Sequence, residues 1–418
     1  MNRLRLSKLR ATTAEWATAY PWHYTGAIRP TVGPVIGCDL LAGGAPFGIA
    51  PHDWVLAGIT QNPNIAIGGA PANGKSALVK LVLWWLVGAF GHRMAVVDVK
   101  GEYRPLAEAL AVPVLDLYPG GPTRVNPLDQ GDGRAEFTHA LAALCLERPL
   151  HPLERATLSA TLPLLPERAV IADLVTLLRE FPTALIEHLT LGRDRALDAT
   201  SDLRFGFGEL LAGPYAGMFN GPTNVDVTHS PAGFVIDLSR CGTDDRTLRY
   251  AMLAGTRATD QLTTTTPGRT LTVNDEAWRL AGTRETVVWL QHSFKLGRNQ
   301  GVGNIIVVHR FAELGAQTDG ATAQIASRLV ADADTHILFR QGDRTDAHDA
   351  VARLGLPAAV TDVIAQLPPY RCLVHVRGRF ALIDVKLPPS FRTLGDTNTA
   401  MRAEADDPKS IAMEDAAV

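Results

Sequence analysis

From residue 64 onward the hydrophobic positions come in short unbroken runs, most of them closing on or against a polar residue, with longer stretches of helical spacing between them. The runs are Asn64–Gly68, Met94–Val99, Val112–Leu117, Gly233–Leu238, Thr270–Asn274, Asn304–His309 and Thr335–Arg340. A run that is apolar at every position, rather than every second one, marks a strand buried on both faces. Strands alternating with helices predict an α/β domain around a central, mostly parallel sheet. The polar residues at the run ends, Asp98, Asp116, Asp237, Asp275 and His309, then fall at the carboxyl edge. Open parallel sheets bind their ligands at that edge.

The pattern changes between 133 and 212. Leu141, Leu144, Leu146, Leu153, Leu158, Leu162 and Leu165 have helical spacing, and 170–189 continues it. This predicts an all-helical insertion that divides the α/β domain into 61–132 and 213–387. Glycine–proline turns at Gly213-Pro214 and Gly221-Pro222 mark its exit. Arg371–Val376 and Phe380–Val385, around Arg377-Gly378-Arg379, predict a C-terminal hairpin. After about Leu394 the chain is small, polar and acidic, and 388–418 are expected to form a disordered tail. Residues 1–60 are poorly patterned. With Trp16, Trp22, His23, Tyr24 and a turn at Gly43-Gly44, they suggest an arm or small β element packed on the core or on a neighbouring subunit. Residues 1–20 read equally well as a disordered leader.

The first run leads into the chain's most specific stretch, Gly69-Ala70-Pro71-Ala72-Asn73-Gly74-Lys75-Ser76-Ala77. Strand, G-x-x-x-x-G-K-S turn and helix together make a phosphate cradle, the Walker A pattern. Amides of 70–77 are expected to converge on phosphates at a helix N-terminus. Lys75 is expected to bring charge to the β and γ phosphates, and Ser76 a hydroxyl to Mg²⁺. The competing reading is a chance glycine turn before a helix.

Composition adds mainly exclusions. The 418 residues are 46% hydrophobic and 20% charged with a net charge of −3, an ordinary globular balance without a global basic footprint for nucleic acid. Cys38, Cys145, Cys241 and Cys372 are scattered, which suits reduced thiols in a cytoplasmic protein. The apolar stretch Ala77–Phe90 is too short to span a bilayer and carries Lys80. The expectation is a soluble protein able to dock on a membrane machine.

Hydrolysis needs more than a cradle. Asp275 closes an apolar run, placed to hold Mg²⁺ through its water shell, and Glu276 follows, placed to polarise the attacking water. A carboxylate pair capping the next helix is the plainer alternative. His309 ends the neighbouring run and reads either as a γ-phosphate sensor or as a structural histidine. Arg298 and Arg340 are rival candidates for an arginine that completes a neighbouring subunit's site. The carboxylates of Asp98-Val-Lys100-Gly101-Glu102-Tyr103 would support the nucleotide site or simply make a polar loop.

In this order the motifs resemble one family. Walker A, then D-V-K-G-E-Y, a helical insertion and Asp275-Glu276-Ala277-Trp278 look like the conjugation and type IV secretion ATPases of the HerA/FtsK superfamily. Further matching pieces are Arg124–Leu128, Gly217–Thr223, Phe339-Arg340-Gln341 and Leu354-Gly355-Leu356. The resemblance spans about residues 60–387. It implies a RecA-like P-loop fold, hydrolysis of ATP with Mg²⁺, and a hexameric ring with shared sites. By match, Arg298 takes the place of the trans-acting arginine, and His309 stands where the family usually has glutamine. Relative to the family the chain lacks the long N-terminal domain and the transmembrane segments. The resemblance therefore implies a trimmed motor at the cytoplasmic face of a membrane, docked through secretion-channel proteins or DNA. Two other readings remain: a DNA translocase or helicase outside secretion, and a nucleotide-gated assembly factor with little turnover.

Overall fold

The structure, a computed structural model, describes residues 33–395 apart from 130–132, 190–191, 225–229, 243, 266–267, 281–282, 300 and 312–319. Trp16, Trp22, His23, Tyr24 and the chain beyond 395 lie outside the described residues. The strands are β1 (Val35–Asp39), β2 (Ala45–Gly48), β3 (Ile65–Gly68), β4 (Arg93–Asp98), β5 (Val114–Asp116), β6 (Gly233–Asp237), β7 (Thr270–Asp275), β8 (Val302–Val308), β9 (Thr335–Leu338), β10 (Arg371–Val376) and β11 (Arg379–Val385). The helices up to the end of the strandless stretch are α1 (Pro51–Leu56), α2 (Lys75–Phe90), α3 (Arg104–Ala109), α4 (Arg134–Leu146), α5 (Pro152–Thr161), α6 (Ile171–Glu180), α7 (Thr183–Leu189), α8 (Arg193–Ala199) and α9 (Ser201–Ala212). Then come α10 (Asp245–Thr265), α11 (Arg284–Asn299), α12 (Gly320–Ala331), α13 (Arg344–Arg353), α14 (Val360–Ala365) and α15 (Arg392–Gly395).

All eleven strands form one sheet in the order β2-β1-β11-β10-β9-β3-β8-β7-β4-β6-β5. The run from β9 to β5 is parallel, and the C-terminal hairpin and β1–β2 extend it antiparallel. Side chains alternate across the pleat, so each parallel strand feeds two cores. Ile65, Ile67, Val96 and Val273 face one side with α2, whereas Ala66, Val97, Ile236 and Ile306 face the other with α4 and α10. This two-sided burial is why the strands read as unbroken apolar runs.

The structure sharpens three sequence expectations. The small β element expected within 1–60 is the pair β1–β2, which joins the main sheet: β1 pairs along β11, from Gly37 with Val385 to Asp39 with Ile383. The chain also stays ordered past the expected boundary at 388. Phe391 is fully buried and packs 5.3 Å from Trp84 of α2, so the segment through α15 covers that apolar helix. Lastly, α4 opens the strandless stretch but packs as a core helix. Its Phe137 meets Trp289 of α11 edge-on at 5.1 Å, and the buried Arg257 guanidinium of α10 lies over both rings. A hydrogen-bonded seam joins the pieces on either side of 133–212. Thr223 Oγ1 accepts from the Asn126 amide at 2.8 Å and donates to Asp129 at 2.6 Å, and Asn126 Nδ2 donates to the Ala169 carbonyl. Two of the motif pieces, Arg124–Leu128 and Gly217–Thr223, thus meet in space.

Where β9 pairs with β10, His336 and His375 stack with their Nδ1 atoms 3.2 Å apart. Their outer partners set the tautomers. His336 Nε2–H donates to the Val330 carbonyl, while His375 Nε2 accepts from the Gly378 amide. His375 Nδ1–H therefore donates to bare His336 Nδ1, and both rings are neutral. Burial first, and then His336, push the His375 pKa down to about 4; burial also lowers that of His336. Because the folded-state value lies below the unfolded 6.5, the pair stabilises the fold above pH 6.5 and loses that contribution as pH falls towards 4. Allowing for the partial exposure of His375, its share between pH 7 and 5 is on the order of 1 kcal/mol. Urea unfolding of His375→Gln is expected to show a correspondingly flatter loss of midpoint over that range than wild type.

Candidate active site

The site forms because several strands end at one level. Gly68 of β3 pairs with Val308 of β8, and the adjacent Val307 pairs with Asp275 of β7. The turn after β3 and the carboxylates after β7 therefore lie two strands apart on the carboxyl edge, roughly 10 Å by sheet spacing.

The turn is tightly held. Gly69 (φ +150°) and Gly74 (φ +100°) occupy backbone regions that L side chains rarely adopt. A Cβ on Gly69 would lie 2.7 Å from Phe339 Cβ, and one on Gly74 would lie 2.9 Å from the Tyr370 ring. Asn73 braces the loop from within, donating to the Ala70 and Pro71 carbonyls at 3.1 and 3.0 Å. Lys75 is buried and its ammonium donates to the carbonyls of Gly69 at 2.5 Å and Ala70 at 3.0 Å. Ser76 and Ala77 follow in the first turn of α2. One detail departs from the expected cradle: the Ala70 amide donates to the Arg340 carbonyl at 2.8 Å, which ties it to the strand β9 side instead of offering it to a phosphate.

Across the edge, Asp275 and Glu276 are both buried. Glu276 holds a left-handed backbone (φ +62°), and its amide donates to Asp275 Oδ1 at 3.1 Å. Such strain in a non-glycine residue costs about 1 kcal/mol or more and persists where surrounding contacts enforce it. The contacts are cationic and polar. Glu276 Oε1 receives Lys100 Nζ at 2.9 Å and His309 Nε2 at 3.0 Å, and Arg279 Nε lies 3.5 Å from Oε2. Burial alone would raise the Glu276 pKa, but the bonds from His309 and Lys100 outweigh it and hold the carboxyl well below its usual range. Asp275 shifts the other way: burial raises its pKa and Lys100 opposes the rise.

The D-V-K-G-E-Y segment explains how Lys100 arrives there. Asp98, buried at the end of β4, accepts backbone N–H groups from Lys100, Gly101 and Tyr103 at 3.1, 2.9 and 2.7 Å. This folds the loop back so that Lys100 reaches over β7. Burial, reinforced by Asp237, lifts the Asp98 pKa to about 6 despite those amides. Asp116 and Asp237 also sit on the edge, but Arg104 engages both, with Nη2 2.7 Å from Asp237. They serve the loop framework.

His309, read as either a γ-phosphate sensor or a structural histidine, is bonded to Glu276 through Nε2. Lys100 is the residue that sequence reasoning passed over. Its signal was its being the only cation in a strand-end loop otherwise read for carboxylates. Arg298 falls in the last turn of α11, with its side chain outside the described residues. Arg340 is exposed, and its carbonyl is bonded to its own chain's loop.

The architecture is that of the P-loop NTPases, RecA-like in its sheet. In particular, it is similar to VirB4 of Thermoanaerobacter pseudethanolicus, with a TM-score of 0.72 and 18% identity over 88% of this chain and 100% of that one. It is also similar to the plasmid coupling protein TrwB in complex with the ATP analogue ADPNP, with a TM-score of 0.57 and 15% identity over 87% and 91% of the two chains. The complex of TrwB with ADP and Mg²⁺ gives 0.53 and 14% over 78% and 85%. At these identities the likeness is one of fold. No family model matches the chain, and no curated protein matches it in sequence.

Proposed function

We infer that the chain is a Mg²⁺-dependent ATPase that powers transfer of DNA or protein in a conjugative or type IV secretion-like system. The observation that carries the enzymatic part is Glu276, held between Lys100 and His309 beside Asp275, at the level of the Lys75 loop. The intact Asp275-Glu276 pair argues against a binding-only scaffold.

Gly69–Ala77 bind the phosphates, with Lys75 supplying charge and the N-terminus of α2 supplying amides. Ser76 and Asp275 offer a hydroxyl and a buried carboxylate, an all-oxygen donor pair that suits a hard cation. When bound there, Mg²⁺ would neutralise charge on the phosphate oxygens. Glu276 orients the attacking water and receives its proton. Lys100 and His309 fix the carboxylate's direction. They also lower its basicity, so proton transfer to Glu276 is favoured only where these bonds weaken in the same step. An arginine from a neighbouring copy, Arg298 by motif match, completes the site, which makes the working form a ring of identical subunits.

The transfer role is supported by the motif order together with a fold shared with VirB4 and TrwB over most of the chain, an argument from likeness. Among the described residues no helix is long and apolar enough to cross a membrane. Docking at the inner face of a membrane through channel proteins accords with that. The test is steady-state ATP hydrolysis against protein concentration, with and without DNA, for wild type and Arg298→Ala. Specific activity should climb with concentration and fall roughly 10³-fold or more in the variant. Flat, negligible turnover with intact nucleotide binding would replace this reading by the nucleotide-gated scaffold.

A further inference from the structure

The hydrolytic side chains lie to one side of the phosphate loop. Asp275, Glu276, His309 and Lys100 follow β7, β8 and β4, which succeed β3 in one direction across the sheet. The reacting end of a bound nucleotide triphosphate must point that way. Its nucleoside must then leave on the opposite side, towards β9 and β10. There the loop meets Phe339 and Arg340 after β9 and Tyr370 before β10.

Tyr370 is the feature of that side that the phosphate chemistry leaves unused. Its amide donates to the Asn73 carbonyl of the loop at 3.0 Å, and its carbonyl accepts from Val385 at 2.9 Å. These bonds hold it in a left-handed backbone, φ +62°, a conformation costly for an aromatic residue. The ring is pressed into the space a Gly74 side chain would fill, directly over the start of α2, yet it is 41% exposed. One part of the side chain backs the phosphate loop, and the residue as a whole stays exposed.

We propose that Tyr370 is the stacking platform for the nucleobase. This rests on the reading of Gly69–Ala77 as a nucleotide cradle and adds to it the recognition of the base. A ring face reads the π surface of a base and not its edge, so the platform accepts adenine and guanine alike.

The test is direct binding by the full chain in Mg²⁺ buffer. The probes are ATP, GTP and inorganic tripolyphosphate, which carries the phosphates without a base. Tyr370→Ala should weaken ATP and GTP by a similar factor, roughly tenfold, and leave tripolyphosphate unmoved. Tyr370→Phe should bind all three as wild type does. Tyr370→Trp should keep or tighten nucleotide binding, with its fluorescence quenched by ATP and not by tripolyphosphate. Equal weakening of all three probes in Tyr370→Ala would overturn the proposal, because the ring would then only shape the loop. Unchanged ATP affinity would overturn it as well, with the cradle intact. Failure of wild type to bind any probe would instead overturn the cradle reading, and the platform with it.

Discussion

Glu276→Gln is expected to lower ATP turnover by roughly 10²- to 10⁴-fold while nucleotide affinity stays within a few-fold of wild type. The amide keeps the size of the side chain and can still accept from Lys100 and His309 at 2.9 and 3.0 Å. It cannot take a proton. Single-turnover hydrolysis beside equilibrium binding separates the two effects. Lys100→Met in the same assay is expected to reduce turnover less, and to cost nothing further once Glu276 is already glutamine, because Lys100 acts through that carboxylate. Additive losses would show that Lys100 works on the phosphates themselves. Unchanged hydrolysis in Glu276→Gln would remove Glu276 from the chemistry.

Lys75→Ala is expected to weaken ATP binding on the order of 10²- to 10³-fold, measured by equilibrium titration. The loss reflects a buried charge-assisted contact to phosphate. Its ammonium is confined to the loop interior, bonded to Gly69 and Ala70, so little mobility is lost when phosphate replaces a carbonyl as its partner. Circular dichroism and thermal unfolding should show the sheet unperturbed, since the bonds to Gly69 and Ala70 hold the loop and not the strands. Wild-type affinity in this variant would count against the cradle.

The parallel sheet was legible because two-sided burial writes itself as unbroken apolar runs. The Walker A loop was legible because a phosphate cradle constrains residue type at fixed local spacing. Asp275-Glu276 could be read for the same reason: an apolar run ends and two acidic residues follow. Strands β1 and β2 were harder, because each is short: β1 shows its character only once it pairs with β11, more than three hundred residues later, and β2 then pairs with β1. The partnership of Phe391 with Trp84 was hidden likewise, since a polar, small-residue tail gives no sign of one buried ring.

Residue types at short range therefore determined the fold class, the glycine-rich turn between β3 and α2 and the place of the acidic pair. Tertiary structure alone decided what each side chain touches. It made His309 a partner of Glu276, tied the Ala70 amide to Arg340, brought Lys100 over β7 and seated Tyr370 on Gly74. The physical reason is that side-chain pairing depends on strand order. In a sheet ordered β9-β3-β8-β7-β4, neighbours in space are distant in the chain, and no local pattern records which of them will meet.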